Sequence, residues 1–363
     1  MSFQDLIGHF FGAFLEQAIF YLLFSVPLFL IFWVIWKKQF QRIRIQTQHQ
    51  ATTHHFKHDL WHSGSTLLIF AGMDIALLYL QSQGYTRLYS QPDQYGWWWL
   101  PLSFALLLFL NDTFFYWSHR AMHHPKLYPF FHRVHHESTD PSPLTSFSFH
   151  PSEALVENAM GFLLPFVFPL HIGVIIAWQL YDMLNNVVGH LGYEVYPKEW
   201  TKIPILKYKT PSTHHNMHHQ FFDGNYALYF TWWDKWMGTE FKDYETRFEA
   251  IFNRTPKHEQ ASMLDAKNAQ SSVARAKVTA QIDRTTYHFE VGDSETILQA
   301  ALAQQIPLPH SCKRGLCGTC KLHCTSGTVQ LQKQGALTDA EVAAGYILTC
   351  QALPLSGVVS IEG

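Results

Sequence analysis

Nineteen consecutive residues, 18–36 (AIFYLLFSVPLFLIFWVIW), carry no charged side chain. A helix needs about 20 apolar residues to cross the hydrocarbon layer of a bilayer, because only a closed helix or barrel satisfies its backbone there. The segment predicts a membrane-spanning helix. It outlasts the apolar core of a secretory signal and lacks a small-residue cleavage site, so it reads as retained, with a buried core helix as the alternative. Lys37, Lys38, Arg42 and Arg44 follow directly, a basic flank that puts the next segment on the cytoplasmic side.

Two more apolar stretches, 65–80 and 97–117, are joined by a polar segment with Gly84, Pro92, Asp93 and Gly96, and read as an antiparallel membrane pair. The tryptophans at 97–99 suit the outer interface, so the third span would deliver His119 to the cytoplasmic face. A fourth stretch, 159–181, is interrupted by Pro165, Pro169 and His171. It predicts a broken hairpin returning to the same side, with two shorter crossings as an equal alternative. Residues 251–275 lose apolar periodicity and gain Gln, Ser, Ala and Asn, the composition of a linker. Beyond it, 278–282 and 287–291 alternate as strands across a two-residue turn, and 295–304 has helical spacing. The expected organisation is a membrane-embedded domain over 1–250, a linker over 251–275 and a small soluble domain over 276–363. The fold class is a mainly α membrane domain of transmembrane helices plus a cytosolic helical cap, followed by an α+β domain. The net charge of −2 says nothing about nucleic acid, but no basic stripe is found beyond Lys37, Lys38, Arg42 and Arg44, and no nucleic-acid partner is expected.

Cys312, Cys317, Cys320 and Cys350 stand as C-x4-C-x2-C with a distant fourth, the ligand spacing of a plant-type 2Fe-2S cluster. A zinc ribbon would instead show paired C-x2-C knuckles. Five cysteines with four in one cluster motif fit a reducing compartment. Cys324, the fifth, reads as a small buried strand residue.

Thirteen of the 23 histidines lie between His119 and His219. His119 and His123 are one helical turn apart, and His132, His135 and His136 form H-x-x-H-H, a spacing repeated by His215, His218 and His219. Each triplet is expected to aim at one point, and His190 stands alone. So many converging imidazoles exceed the four ligands of a closed zinc site and imply two metals, a pair able to hold dioxygen. Asp112, Glu153 and Asp182 are the expected carboxylates behind the ligands. His54, His55, His58 and His62 read as an interfacial face, and His9, His150 and His171 as ordinary satisfied histidines.

HRAMH at 119–123, HRVHH at 132–136, HPSE at 150–153, GH at 189–190 and HHNMHH at 214–219 resemble the membrane fatty acid hydroxylase and sterol desaturase superfamily over about residues 100–244. The resemblance implies a cytosol-facing di-iron centre that activates dioxygen against a lipid C–H bond. Carried over by motif, the ligands would be His119, His123, His132, His135, His136, His190, His215, His218 and His219, with His150 and His214 outside them. The tail, with PHSCKRGLCGTC and YILTCQ, resembles plant-type ferredoxins and implies a β-grasp fold holding a 2Fe-2S cluster on Cys312, Cys317, Cys320 and Cys350. Free ferredoxins of that type are strongly acidic; here basic and acidic residues nearly balance, so tethering would replace electrostatic steering.

The expected function is an oxygen-dependent lipid hydroxylase in the membrane, with two iron ions and a 2Fe-2S cluster, both facing the cytoplasm. Its partners would be a lipid substrate, dioxygen and a separate ferredoxin reductase, since no G-x-G-x-x-G or flavin domain is seen. Acyl or sterol desaturation by the same site is the alternative. A membrane-anchored electron carrier with structural zinc is the alternative of another class.

Overall fold

The computed structural model describes residues 3–254 except 48–50 and 52, and residues 275–363 except 283, 284, 293, 294, 311, 312, 314, 316, 317 and 333–335. It divides into two compact units, Met1–Asn253 and Arg254–Gly363. Residues 255–274 of the expected linker lie outside the described residues.

In the first unit, α1 (Phe3–Phe29) continues into a π-helical segment, Leu30–Ile35. The widening shows in the Trp36 amide, which donates to the Ile31 carbonyl five residues back at 2.9 Å. α2 (Thr53–Ser82), β1 (Leu88–Tyr89) and α3 (Trp99–Met122) come next. Ile7–Ile35, Thr53–Ser82 and Trp99–Met122 are long and apolar enough to cross a membrane, and the first two start earlier than their apolar cores suggested. Residues 3–17 hold Leu, Ala, Glu and Gln, strong helix formers that extend α1 ahead of the uncharged run.

Among the shorter helices that follow are α4 (Pro151–Glu157), α5 (Ala159–Val167), α6 (Ile172–Gly189) and α7 (Ser212–Phe221). The stretch 159–181 is thus split between α5 and α6. At the break, β2 (Leu170–His171) pairs in parallel with β1, and His171 Nδ1 accepts from the Gly173 amide at 3.0 Å to cap α6.

The segment after His136 is tied to three helices. Asp59 on α2 accepts from Ser138 Oγ at 2.6 Å and Thr145 Oγ1 at 2.7 Å. Tyr21 of α1 donates to the Leu144 carbonyl at 2.9 Å, and Asn186 of α6 donates to the Ser146 carbonyl at 2.9 Å. Arg44, expected as an interfacial charge, is buried instead: it pairs with Asp140 and stacks 4.1 Å over the Trp33 ring. Breaking such a buried pair on one side costs about 3–5 kcal/mol. Gly192 completes the arrangement at φ +77°, where a Cβ would come within 3.0 Å of the Pro141 carbonyl.

The second unit is an α+β fold. β3 (Ala276–Ile282) pairs antiparallel with β4 (Thr285–Val291), from Ala276↔Val291 to Ile282↔Thr285. α8 (Ile297–Ala303) is capped by Thr296 and Gln299 in a reciprocal box. β5 (Lys321–Ser326), β6 (Val329–Leu331), β7 (Tyr346–Leu348), β8 (Ala352–Pro354) and β9 (Val358–Glu362) complete it. The five-stranded sheet runs β4-β3-β9-β5-β7, with β9 parallel to β3. Its core holds Val278, Phe289, Ile297, Leu298, Leu322 and Val359, together with Cys320 and Cys350. Cys324 on β5 is only half-buried: it shares the core-facing side of the strand with Leu322, two residues before it, and packs at the edge of that core.

Candidate metal centre

The α3 helix carries His119 and His123 one turn apart at its C-terminal end, with ring centroids 5.1 Å apart. A single helical turn, Arg133–His136, carries the second histidine set, α7 carries the third, and His190 terminates α6. All nine expected histidines converge. They form two groups, His119, His123, His132, His136 and His218, and His135, His190, His215 and His219, whose ligand nitrogens lie within 4.8 Å of one another inside each group.

The triplets do not each aim at one point. Positions i and i+4 of the first triplet, His132 and His136, join one group while His135 joins the other. In the second, His215 and His219 go together and His218 crosses over. Residues four apart on a helix overlie one another, whereas i+3 is rotated by about 60° from i, so a triplet of this spacing can serve two centres. The groups are adjacent: the His136 and His219 rings are 4.7 Å apart.

Hydrogen bonds fix which nitrogen is free. His190 Nδ1 lies 2.7 Å from the Asn186 carbonyl, His219 Nδ1 3.0 Å from the Ser138 carbonyl, and His135 Nδ1 3.3 Å from the Ser148 carbonyl. A carbonyl can only accept, so each Nδ1 carries the proton and each Nε2 presents a bare lone pair. Yet His190 Nε2 stands 3.1 Å from both His135 Nε2 and His219 Nε2. Lone pairs that close repel, and a cation between them turns the repulsion into coordination. Two imidazoles bound at ~2.1 Å and at right angles have nitrogens ~3.0 Å apart. The residues therefore fit a metal in each group. The first shows the same spacing, with His136 Nε2 3.0 Å from both His132 Nε2 and His218 Nε2. His119 and His218 donate from Nδ1 to the Tyr226 and Gly224 carbonyls, each at 2.8 Å.

Burial pushes His132, His135, His136, His215, His218 and His219 well below the usual imidazole range, and the neighbouring rings push them further. Neutral rings are the form that ligates.

Of the three expected carboxylates, only Glu153 touches a ligand: its Oε1 lies 2.5 Å from His132 Nδ1. Burial, and after it the nearby Glu157 carboxyl, push Glu153 well above the usual carboxylate range; a cation on the ring opposes that preference. Asp112 accepts from the Tyr229 amide at 2.8 Å and Asp182 from the Tyr229 hydroxyl, so they shape the loop behind Tyr226 rather than contact a histidine. His150 caps α4 through Ser152. His214 is fully buried but faces Asp234, 3.7 Å away, and the Tyr244 ring, outside both groups. His58 contacts Glu137 at 3.1 Å, and neither it nor His54, His55 or His62 belongs to a group. The carbonyls of Tyr226, Ser138 and Asn186 carry no residue-type signal, and sequence reasoning missed them.

In the second unit, Cys320 and Cys350 are buried with sulfurs 3.2 Å apart, close enough to share one ion. Cys312 and Cys317 lie outside the described residues. Gly315, at φ +80°, has no room for a Cβ, which would meet Gln351 Cγ at 2.8 Å.

Residues 104–239, which enclose all nine histidines, match the family model described as fatty acid hydroxylase. Residues 280–355 match that of the 2Fe-2S iron-sulfur cluster binding domain. The chain joins a fatty acid hydroxylase domain to a 2Fe-2S domain. The hydroxylase domain is similar to human lathosterol oxidase, 35% identical over 176 residues that cover 47% of this chain and 56% of the relative. It is also similar to methylsterol monooxygenase 1 of Danio rerio, 33% identical over 36% of this chain and 44% of the relative. The chain thus spans about half the length of the curated relatives it matches. Among solved structures, Amycolatopsis cytochrome P450 reductase GcoB aligns with 31% identity over 24% of this chain and 26% of that one, at a TM-score of 0.22.

Glu153→Gln is expected to loosen metal at the first group about 10–100-fold, the usual effect of removing a carboxylate behind a ligating histidine. Metal retention against a graded chelator, measured by mass spectrometry of the metal, checks it; unchanged retention would mean that Glu153 only packs there.

Proposed function

We propose that this chain is an oxygen-dependent lipid hydroxylase that holds an iron pair on its nine histidines and draws electrons from its own 2Fe-2S domain. The observation that carries the reading is the pair of adjacent sets of bare imidazole nitrogens. His119 and His132 of one set, and His135, His190 and His215 of the other, border a cavity of about 300 Å³. His119, His123, His132, His136 and His218 would hold one ion, and His135, His190, His215 and His219 the other. Iron there would supply the binding and stepwise reduction of dioxygen. The balance is one C–H bond, one dioxygen, two electrons and two protons giving an alcohol and water.

The chain's own groups set the conditions. Backbone carbonyls hold the Nδ1 protons of His119, His135, His190, His218 and His219, which keeps the Nε2 of these five turned inward. Phe115, Phe147 and Phe149 wall the cavity with apolar surface and limit water at the reacting carbon. Cys312, Cys317, Cys320 and Cys350 would hold the cluster that passes electrons singly. The reading assigns the hydroxylase to 1–250, the linker to 251–275 and the ferredoxin-type domain to 276–363. It puts the histidines and the cluster on the cytoplasmic side, where a separate reductase could reach them.

Desaturation is the second reading, favoured by the similarity to the Delta(7)-sterol 5(6)-desaturase of Gibberella zeae. A structural zinc site is disfavoured, because the first group offers five imidazoles, one more than a closed tetrahedral shell takes, and the two groups stand side by side on one cavity. Lipid extracts of cells with and without the protein, compared by mass, test the proposal: one added oxygen atom is expected. Loss of two hydrogens would favour desaturation, and no change with iron bound would remove both readings.

A further inference from the structure

Four of the carbonyls that hold Nδ1 protons come from two loops, and each loop serves one metal group. The stretch 138–148 gives the Ser138 carbonyl to His219 and the Ser148 carbonyl to His135, both of the second group. The stretch 224–227 gives the Gly224 carbonyl to His218 and the Tyr226 carbonyl to His119, both of the first. A buried aspartate fastens each stretch. Asp59 accepts from Ser138 Oγ at 2.6 Å and Thr145 Oγ1 at 2.7 Å, and the Thr145 carbonyl takes the Ser148 amide at 2.9 Å. Asp234 accepts from the Tyr226 amide at 2.9 Å, the Ala227 amide at 2.8 Å and the Thr239 hydroxyl at 2.7 Å. Asp59 also has His58 Nδ1 3.5 Å away, and Asp234 has His214 Nε2 3.7 Å away, neither of them among the nine.

We propose that Asp59 and Asp234 are positioning residues, one for each metal: Asp59 orients imidazoles of the second group through 138–148, and Asp234 those of the first through 224–227. A histidine whose Nδ1 acceptor shifts can turn its Nε2 off the metal, and outer partners of this kind are worth about 10–100-fold in metal affinity. The inference rests on the reading of the nine histidines as holders of an iron pair, and names what aims them. The two aspartates differ in what can replace them. The partners of Asp59 are hydroxyls, which accept as well as donate, so the amide of Asp59→Asn can donate to Ser138 Oγ and accept from Thr145 Oγ1. Asp234 presents one oxygen to each of two backbone amides, which only donate. Asp234→Asn therefore sets an NH2 group against an N–H in either orientation.

The test counts iron per full-length chain against a graded chelator and subtracts acid-labile sulfide, which equals the iron of a 2Fe-2S cluster, leaving about two ions for the histidines of the parent. Asp59→Ala and Asp234→Asn should each release one ion about 10–100-fold more readily and keep the other at parental strength. The ion that stays shows that the domain is folded. Ligand variants identify the ion that leaves, read at a chelator concentration that strips weakened sites and spares the parent. Asp59→Ala combined with His135→Ala should lose no more than His135→Ala alone, whereas combined with His218→Ala it should leave the histidines without iron. For Asp234→Asn the two pairings are reversed. Asp59→Asn should hold both ions like the parent. Loss of both ions together, loss of neither, the same pairing for both aspartates, or equal loss from Asp59→Asn and Asp59→Ala would overturn the proposal. A parent protein with no iron beyond its cluster would remove the iron-pair reading itself and this proposal with it, an outcome distinct from all of these.

Discussion

His218→Ala is expected to abolish product formation and to remove about one of two bound iron ions, while the visible absorption of the 2Fe-2S cluster stays at its parental level. His218 belongs to the first group, with Nε2 3.0 Å from His136 Nε2 and 3.1 Å from His123 Nε2, and its Nδ1 proton is committed to the Gly224 carbonyl. No neighbouring side chain can take its place, because the surrounding histidines are already turned to one group or the other. His135→Ala should do the same at the second group. Iron by elemental analysis and product by mass spectrometry measure the two effects. Full turnover in both variants would end the assignment of a metal pair to these residues, and loss of cluster absorption would indicate unfolding rather than a local defect.

The second large effect is expected from Cys350→Ser. Cys350 is buried in the core of its unit with its sulfur 3.2 Å from that of Cys320, so the variant should lose the visible absorption of the cluster and turnover driven through the chain's own domain. Iron on the histidines should remain. Added ferredoxin should restore turnover, and because covalent linkage supplies an effective concentration on the order of millimolar, comparably high concentrations should be needed to match the parent rate. Rescue at micromolar ferredoxin would mean that the fused domain gives no proximity advantage. Unimpaired turnover without any added carrier would show that the domain is not the electron source.

Much of this centre was legible because its chemistry depends on residue types that have few other uses at such spacing. The histidine pair at 119 and 123, the two H-x-x-H-H triplets and His190 all fall in the two groups, since a helix fixes the relative direction of residues three and four apart without knowledge of the fold. The division of each triplet between two centres was not legible. It depends on how the turn Arg133–His136 and α7 face one another, which no spacing within either segment encodes. The carboxylates show the same limit. Glu153 reaches His132 across 21 residues of chain, whereas Asp112, on the same helix face as His119, turns to the Tyr229 amide. Arg44 marks the opposite error: a charge after an apolar run reads as interfacial, yet it is buried against Asp140, which lies 96 residues away.

The sequence by itself determined the periodic and the covalent: the apolar lengths that suit a bilayer, the alternation of β3 and β4, the helical phase of the histidines and the order of the cysteines, each carried by neighbours along the chain. Only the tertiary structure decided which lone pairs meet, which carbonyls hold the opposing protons and which acids line the cavity. Those outcomes depend on desolvation and on distances of about 3 Å between segments far apart in sequence, and such distances exist only after packing has fixed them.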